Sequence, residues 1–219
     1  MEIKINSTYK GTRILYGELS TYKRKLINKM IDILSDEGFT EIMIPIIQKE
    51  ETFESKVGEE NGNMMYTFKD MGNRKLCLSP EYTSIIQQLA KEKFIYGRNN
   101  PKEEKVFYIS ECFRGERPQN GRYRQFTQFG VEIINPKEDY SDYMIDLSSR
   151  LMSLVTDEFE INSEATRGLD YYTEGKGFEI SCDKLGAQKQ VCGGGSYDGG
   201  IGFALGVDRL IIIDGKKEL

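Results

Sequence analysis

Residues 113 to 134 read FRGERPQNGRYRQFTQFGVEII and crowd Arg114, Arg117, Arg122 and Arg124 into one turn of a chain whose formal charge is −5. Guanidinium groups are planar forks that match phosphate oxygens, so the chemistry suggested is the binding of an anionic phosphate. Directly after the turn, Gln128, Gly130 and Glu132 alternate with Phe129, Val131 and Ile133. Side chains alternate across a strand, so the second set buries while the first forms a polar floor. On the outgoing strand Phe107, Ile109 and Phe113 take the buried side, and Arg114 shares the other parity with Ser110 and Cys112. The expected floor is Arg114, Gln128 and Glu132, with Gly130 leaving room above it.

Such a floor needs a frame, and composition bounds it. The 219 residues, 38% of them hydrophobic, suffice for one substantial core, so a single domain over 1–219 is expected. The N-terminus is polar and no apolar run reaches bilayer length, which predicts a cytoplasmic protein with no membrane partner. Cys77, Cys112, Cys182 and Cys192 form no CxxC pair and the chain has no histidine, so reduced thiols and no metal site are expected. The lack of histidine also excludes Ser-His-Asp and Cys-His hydrolases. Net negative charge argues against a broad nucleic-acid surface while leaving room for a small basic pocket.

Around the hairpin, TYKRKLINKMIDILSDEGF spaces Leu26, Ile27, Met30, Ile31 and Leu34 as a helix that Gly38 ends. Phe39 to Ile47 reads as one strand, which Pro45 confines to an edge or interface. Residues 52–75 are expected to form a loop or lid around a short strand at Tyr66 to Phe68. Ser79 to Lys91 reads as a helix opened by Ser-Pro-Glu, burying Ile85, Ile86 and Leu89. Ser141 is expected to cap a further helix with Met144, Leu147, Leu151, Leu154 and Val155 inward. The C-terminal third reads strand, glycine turn, strand, helix.

In this order the blocks resemble the class II aminoacyl-tRNA synthetase core, specifically the histidyl-tRNA synthetase family. KGTR (10–13) and EGFTEIMIP (37–45) are similar to the family's opening and first, dimer-forming motif. MYTFKD (65–70), SPEYT (79–83), FRGERPQNGRYRQFTQFGVE (113–132) and RGLDYY (167–172) follow, then GGGSYDG (193–199) with GFALGVDRL (202–210) as the third motif. The resemblance implies an α+β fold, an antiparallel sheet flanked by helices. It also implies ATP and Mg²⁺ as cofactors, and histidine, the tRNA acceptor end and a second copy of the chain as partners.

By the same resemblance Glu81 and Thr83 hold the substrate ammonium, Gln128 the amino acid, and Glu132 with Tyr172 and Tyr197 the imidazole. Arg114 and Arg167 sit at the α-phosphate, Arg122 reaches the phosphate tail and Arg209 the phosphates. The catalytic set is then Arg114, Arg167 and Arg209, with Arg117 and Gln119 toward the tRNA acceptor. Gly202, Ala204 and Gly206 would share one strand face against adenine. Glu111, Glu116 and Asp170 read as structural partners of nearby arginines.

The chain departs from the family pattern at Ser79 and Tyr82, where the pattern has arginine and glycine, and at EGKG (174–177), one residue longer than the family's turn. It also implies a minimal form without the insertion between the second motif and RGLDYY and without the anticodon-binding domain. Three readings stay open: a minimal histidine-activating enzyme charging tRNA, alone or with a separate partner subunit; the same activation with another acceptor; and the non-catalytic, synthetase-like regulatory subunit of ATP phosphoribosyltransferase.

Overall fold

The computed structural model describes residues 8–54, 64–95, 102–165, 172–186 and 188–215. Helix α1 (Gly17–Asp36) buries Leu26, Ile27, Met30 and Leu34. It stops where the sequence puts Gly38: the Gly38 amide donates to Ser35 O (3.0 Å) and the Phe39 amide to Leu34 O (2.9 Å). That pair closes a helix on a left-handed residue, and Gly38 has φ 80°.

The strand expected over Phe39 to Ile47 is divided. Only β1 (Thr40–Glu41) and β2 (Ile47–Lys49) are strands, and they belong to different sheets. Pro45, without an N–H, lies in the crossing between them, where Met43, Ile46 and Ile47 are exposed. Helix α2 (Glu51–Glu54), β3 (Thr67–Lys69) and β4 (Lys75–Leu78) follow, and β2-β4-β3 form a small antiparallel sheet. Of the loop expected over 52–75, residues 55–63 lie outside the described residues.

Helix α3 (Thr83–Leu89) begins four residues later than the Ser-Pro-Glu signal suggests and continues as a π-type turn over Ala90–Ile95. The Ser79 hydroxyl turns to Glu81 O (2.7 Å), and it is the Glu81 carboxylate that accepts from the Ser84 amide at 3.2–3.3 Å. Ile86 is buried as expected, whereas Ile85 and Leu89 are half-buried. The long hairpin is β5 (Glu104–Phe113) and β6 (Gln125–Ile134). Helix α4 (Ser141–Met152) buries Met144, Leu147 and Leu151, but its N-cap is Tyr140 rather than Ser141; the Asp139 carboxylate, one residue earlier, accepts from the Ser141 amide and hydroxyl.

Strands β7 (Glu160–Asn162), β8 (Tyr172–Ser181), β9 (Gln190–Tyr197) and β10 (Gly200–Gly206) lead into helix α5 (Val207–Ile213). Asp198-Gly199 makes the two-residue β9–β10 turn, with Gly199 at φ 91°. The large sheet runs β1-β5-β6-β10-β9-β8-β7, antiparallel except where β1 meets β5. The α+β expectation therefore holds.

One face of this sheet packs Phe107, Phe129, Val131, Ile133, Phe178 and Phe203 against α1, α4 and α5. The other face is partly covered by α3, through Tyr82, Ile86, Tyr108 and Cys112. Over the remainder of that face lies the cavity. Among the described residues no helix is long and apolar enough to cross a membrane.

Candidate active site

Strand register decides what the polar floor contains. Val106, Glu132, Gly202 and Gly195 lie in one row across β5, β6, β10 and β9; Tyr108, Gly130, Ala204 and Gly193 form the next, and Ser110, Gln128 and Gly206 the next. A Cβ on Gly202 would sit 1.7 Å from Glu132 Oε2, and one on Gly130 would sit 2.1 Å from the Tyr108 ring. The room expected above Gly130 is therefore filled by Tyr108, and that above Gly202 by the Glu132 carboxylate rather than left for adenine. Ala204 and Gly206 do line the cavity.

The cavity holds about 150 Å³ and is walled by Glu81, Thr83, Gln128 and Tyr172 at one end and by Arg114, Glu116, Arg122 and Arg209 at the other. That volume is below the several hundred Å³ usual for small-molecule sites. Glu132 and Tyr197 are buried behind the wall. Tyr197 OH donates to Glu132 Oε2 at 2.8 Å, and Thr83 Oγ1 stands 3.4 Å from Glu132 Oε1. Burial, opposed by the Tyr197 hydrogen bond and reinforced by the nearby Glu81 carboxylate, pushes the Glu132 carboxyl up to about 8. Burial raises Glu81 as well, against its hydrogen bonds to Ser84 and the attraction of Arg114.

Tyr82, the ring that stands where the family pattern has glycine, points away from this site. It packs on Tyr108 with ring centroids 5.2 Å apart, donates to Glu111 O at 2.9 Å and accepts from Ser110 Oγ at 2.8 Å. Glu81 is thereby left facing the cavity.

At the cationic end Arg114 donates to Pro80 O at 2.9 Å and lies over Phe126. Arg122 pairs with Glu116, which is 4.0 Å from Arg114. Arg209 donates to Gly121 O (3.0 Å), Gln190 O (2.5 Å) and Gln188 Oε1 (2.9 Å). Burial first, then repulsion by Arg114 and Arg122, lowers the Arg209 guanidinium. It keeps its charge, because guanidinium starts so far above neutrality. Three cations thus converge on one pocket, with Glu116 paired to Arg122 and near Arg114.

Of the other expected site residues, Arg117 and Gln119 are exposed on the turn and do not line the cavity, while Arg167 and Asp170 lie outside the described residues. Glu116 partners arginines as expected. Glu111 does not: it accepts from Thr127 Oγ1 (2.5 Å) and Gln125 Nε2 (3.3 Å). Between Tyr172 and Gly177 the β8–β9 pairing breaks in a bulge, which absorbs the EGKG turn and leaves Tyr172 paired with Tyr197.

Sequence reasoning missed Tyr108, whose buried hydroxyl has no hydrogen-bond partner among the described residues; its shared parity with Ser110 and Cys112 was the available signal. It missed that the Cys112 thiol donates to Gln128 Oε1 (2.8 Å). It also missed Asp208, for which no local pattern gives a role. The four cysteines are free and buried, as expected.

Comparison with known proteins agrees with this geometry. The family model described as Histidyl-tRNA synthetase matches residues 11–145. A histidine–tRNA ligase of Methanococcus vannielii is 37% identical over 155 residues, 70% of this chain and 36% of its own length. That of Thermosipho melanesiensis is 31% identical over 313 residues, covering 95% of this chain and 74% of the relative. The matched span is longer than the whole of this chain, so the relative carries extra residues inside it. The chain spans only about a third of the Methanococcus relative it matches. Among solved structures, apo S. aureus histidyl-tRNA synthetase superposes with TM-score 0.75 at 27% identity, covering 97% of this chain and 71% of that one. A Bacillus halodurans C protein described as an ATP phosphoribosyltransferase regulatory subunit/histidyl-tRNA synthetase gives TM-score 0.74 over 97% of this chain and 84% of that one; at 14% identity it shows the fold alone.

Proposed function

Because the chain belongs to the histidyl-tRNA synthetase family, we propose that it binds histidine and ATP in the cavity between β6, β10 and α3 and joins them as histidyl-adenylate. One observation carries the reading. A buried carboxylate held by a tyrosine hydroxyl lies behind one end of the cavity, and three arginines line the other. Glu132 is matched to an imidazole, which can share its proton. Glu81 and Thr83 suit the ammonium, Tyr172 walls the ring with Tyr197 behind it on Glu132, and Gln128 takes the remaining polar end of the amino acid.

Adenylate formation needs no acid or base from the protein. The histidine carboxylate oxygen attacks the α-phosphorus, the bond to the bridging oxygen breaks and pyrophosphate leaves with its electron pair. What the protein adds is positive charge where the five-coordinate phosphorus grows negative, and that is the role of Arg114, Arg209 and, from its sequence position, Arg167. Arg122 must exchange Glu116 for the phosphate tail. Mg²⁺ binds chiefly through phosphates with one or two carboxylates, and Glu116 on the cavity wall fits that modest demand. When bound, the ion supplies further charge neutralisation on ATP.

The finer assignments belong to the same proposal: one domain over residues 1–219, cytoplasmic, pairing with a second copy through the first-motif region. The exposed Met43, Ile46 and Ile47 beside Pro45 support that pairing. A monomer by light scattering at micromolar concentration would argue against it. Transfer to the tRNA acceptor end would use the exposed Arg117 and Gln119. A few arginines make such binding weak and steeply salt-dependent, so an acceptor minihelix should be charged about as well as full-length tRNA, and Gln119→Ala should reduce transfer without reducing activation. The test of the activation step is histidine-dependent exchange of pyrophosphate into ATP. Histidine binding without exchange would pass the chain to the reading as a regulatory subunit of ATP phosphoribosyltransferase.

A further inference from the structure

Arg13 does not line the cavity, yet it joins two of the elements that do. Its guanidinium lies 3.3 Å over the centre of the Tyr123 ring, and its Nη2 stands 2.5 Å from Asp208 Oδ1. Tyr123 belongs to the arginine-bearing turn, Asp208 to the first turn of α5 beside Arg209, and both side chains line the cavity. Asp208 is 3% exposed, and its second oxygen accepts from the Thr127 amide (2.6 Å) at the start of β6. Lys23 also reaches Asp208 Oδ1 (3.3 Å) and Thr127 Oγ1 (2.6 Å).

The residues before Arg13 grip the same turn from outside. The Arg124 amide donates to Gly11 O (2.8 Å), its Nη1 donates to Lys10 O (3.1 Å), and its guanidinium lies 5.0 Å over Tyr9. Gly11 has φ 89°, and a Cβ there would sit 2.8 Å from Pro118. A side chain at this position would therefore push the segment off the turn. On the far side Arg209 ties the turn to α5 through Gly121 O.

We propose that Arg13 is a positioning residue for the nucleotide: through Tyr123 and Asp208 it locks the arginine-bearing turn to α5, so that Arg122 and Arg209 are held at a fixed separation before ATP arrives. The inference rests on the reading of this cavity as an ATP site. Its physical content is preorganisation, since a turn already fixed loses less freedom on binding. Arginine suits the post because one planar group can stack on a ring while pairing with a carboxylate; lysine can pair but not stack in that way. Lys23 still neutralises Asp208 when Arg13 is replaced, so the fold has a reason to survive the change.

The test is equilibrium calorimetry of ATP and, separately, of histidine on the full chain, wild type against Arg13→Met and Arg13→Lys, with thermal melts alongside. Arg13→Met is expected to weaken ATP about tenfold or more while histidine stays within about twofold, and Arg13→Lys to fall between. Equal weakening of both ligands would make Arg13 merely structural and overturn the inference, as would unchanged ATP affinity in a wild type that binds ATP. Should Arg13→Met fail to fold, the Arg13→Lys protein must still lose ATP selectively for the inference to stand. A wild type that binds no ATP would sink the ATP-site reading itself and this inference with it.

Discussion

Exchanging Glu132 for glutamine removes one ionisable proton site from the floor while keeping its shape. In the empty site burial holds this carboxyl up to about 8, so at pH 7.2 it is mostly protonated. Free imidazole, with an ordinary value of about 6.5, is mostly neutral at that pH. Histidine binding then lets the two share a proton already present. The Glu132–imidazole pair should take up almost none from buffer. Had Glu132 been ionised, the pair would draw about one.

Glu81, raised by burial as well, can lose its proton to buffer as it pairs with the incoming ammonium. Subtracting the Glu132→Gln variant from wild type isolates the pair. Loss of a hydrogen bond to a charged group costs about 1.5–3 kcal/mol, or roughly 10- to 150-fold in histidine affinity, with ATP affinity unchanged. Calorimetry of histidine at pH 7.2 in two buffers of different ionisation enthalpy reads both quantities. A wild-type-minus-variant uptake near one proton would refute the protonated empty site. An equal loss for histidine and ATP would refute the assignment of the pocket.

The sign for stability follows from the same residue. Its carboxyl is raised in the folded chain, so its contribution is intact below about 4.5 and is lost as pH rises through about 8; chemical denaturation of Glu132→Gln should show a flatter profile over that window. Tyr197→Phe, by removing the 2.8 Å hydrogen bond, should push Glu132 higher still and weaken histidine about tenfold without touching ATP, by calorimetry. Gly202→Ala would place a methyl 1.7 Å from Glu132 Oε2, so histidine affinity and melting temperature should both fall while ATP binding persists. Arg209→Ala should lower the exchange rate by about 10²- to 10³-fold and also destabilise the fold, since three acceptors lose their donor. Arg167→Ala should abolish exchange with histidine binding intact, because its charge matters as phosphorus charge develops.

Where period and parity act locally, the sequence was a good guide. Phe129, Val131 and Ile133 bury on one face of β6, and Gln128 and Glu132 turn to the other, because a strand allows no other alternation. Helix α1 and its end at Gly38 were legible for the same reason. The strand over Phe39 to Ile47 was misread because a β-branched run states a preference for extension and says nothing of which sheet receives it. Thr40 found β5 and Ile47 found β4. The start of α3 was misplaced because the Ser79 hydroxyl turned to Glu81 O while Glu81, committed to the site, did the capping.

Within the site, parity correctly put Gly130 on the floor but could not tell that Tyr108 from the paired strand would fill the space. Arg13 and Asp208, 195 positions apart, carry no pattern that announces their contact. The turn 117–124 was legible as a cationic element. Arg122 on Glu116, six residues away, was within reach of that reading, whereas Arg209 on the Gly121 carbonyl depends on packing between distant segments.

If the proposed function is right, one cavity brings a histidine carboxylate to the α-phosphate of ATP. Exchange of labelled pyrophosphate into ATP by the purified chain, with Mg²⁺ and each amino acid supplied in turn, measures that step without requiring tRNA. Exchange is expected to depend on histidine, to find no support from other amino acids and to fall about 10²- to 10³-fold in Arg209→Ala. Exchange supported by a different amino acid would contradict the role given to Glu132, and no exchange in a chain that binds both histidine and ATP would contradict the activation itself.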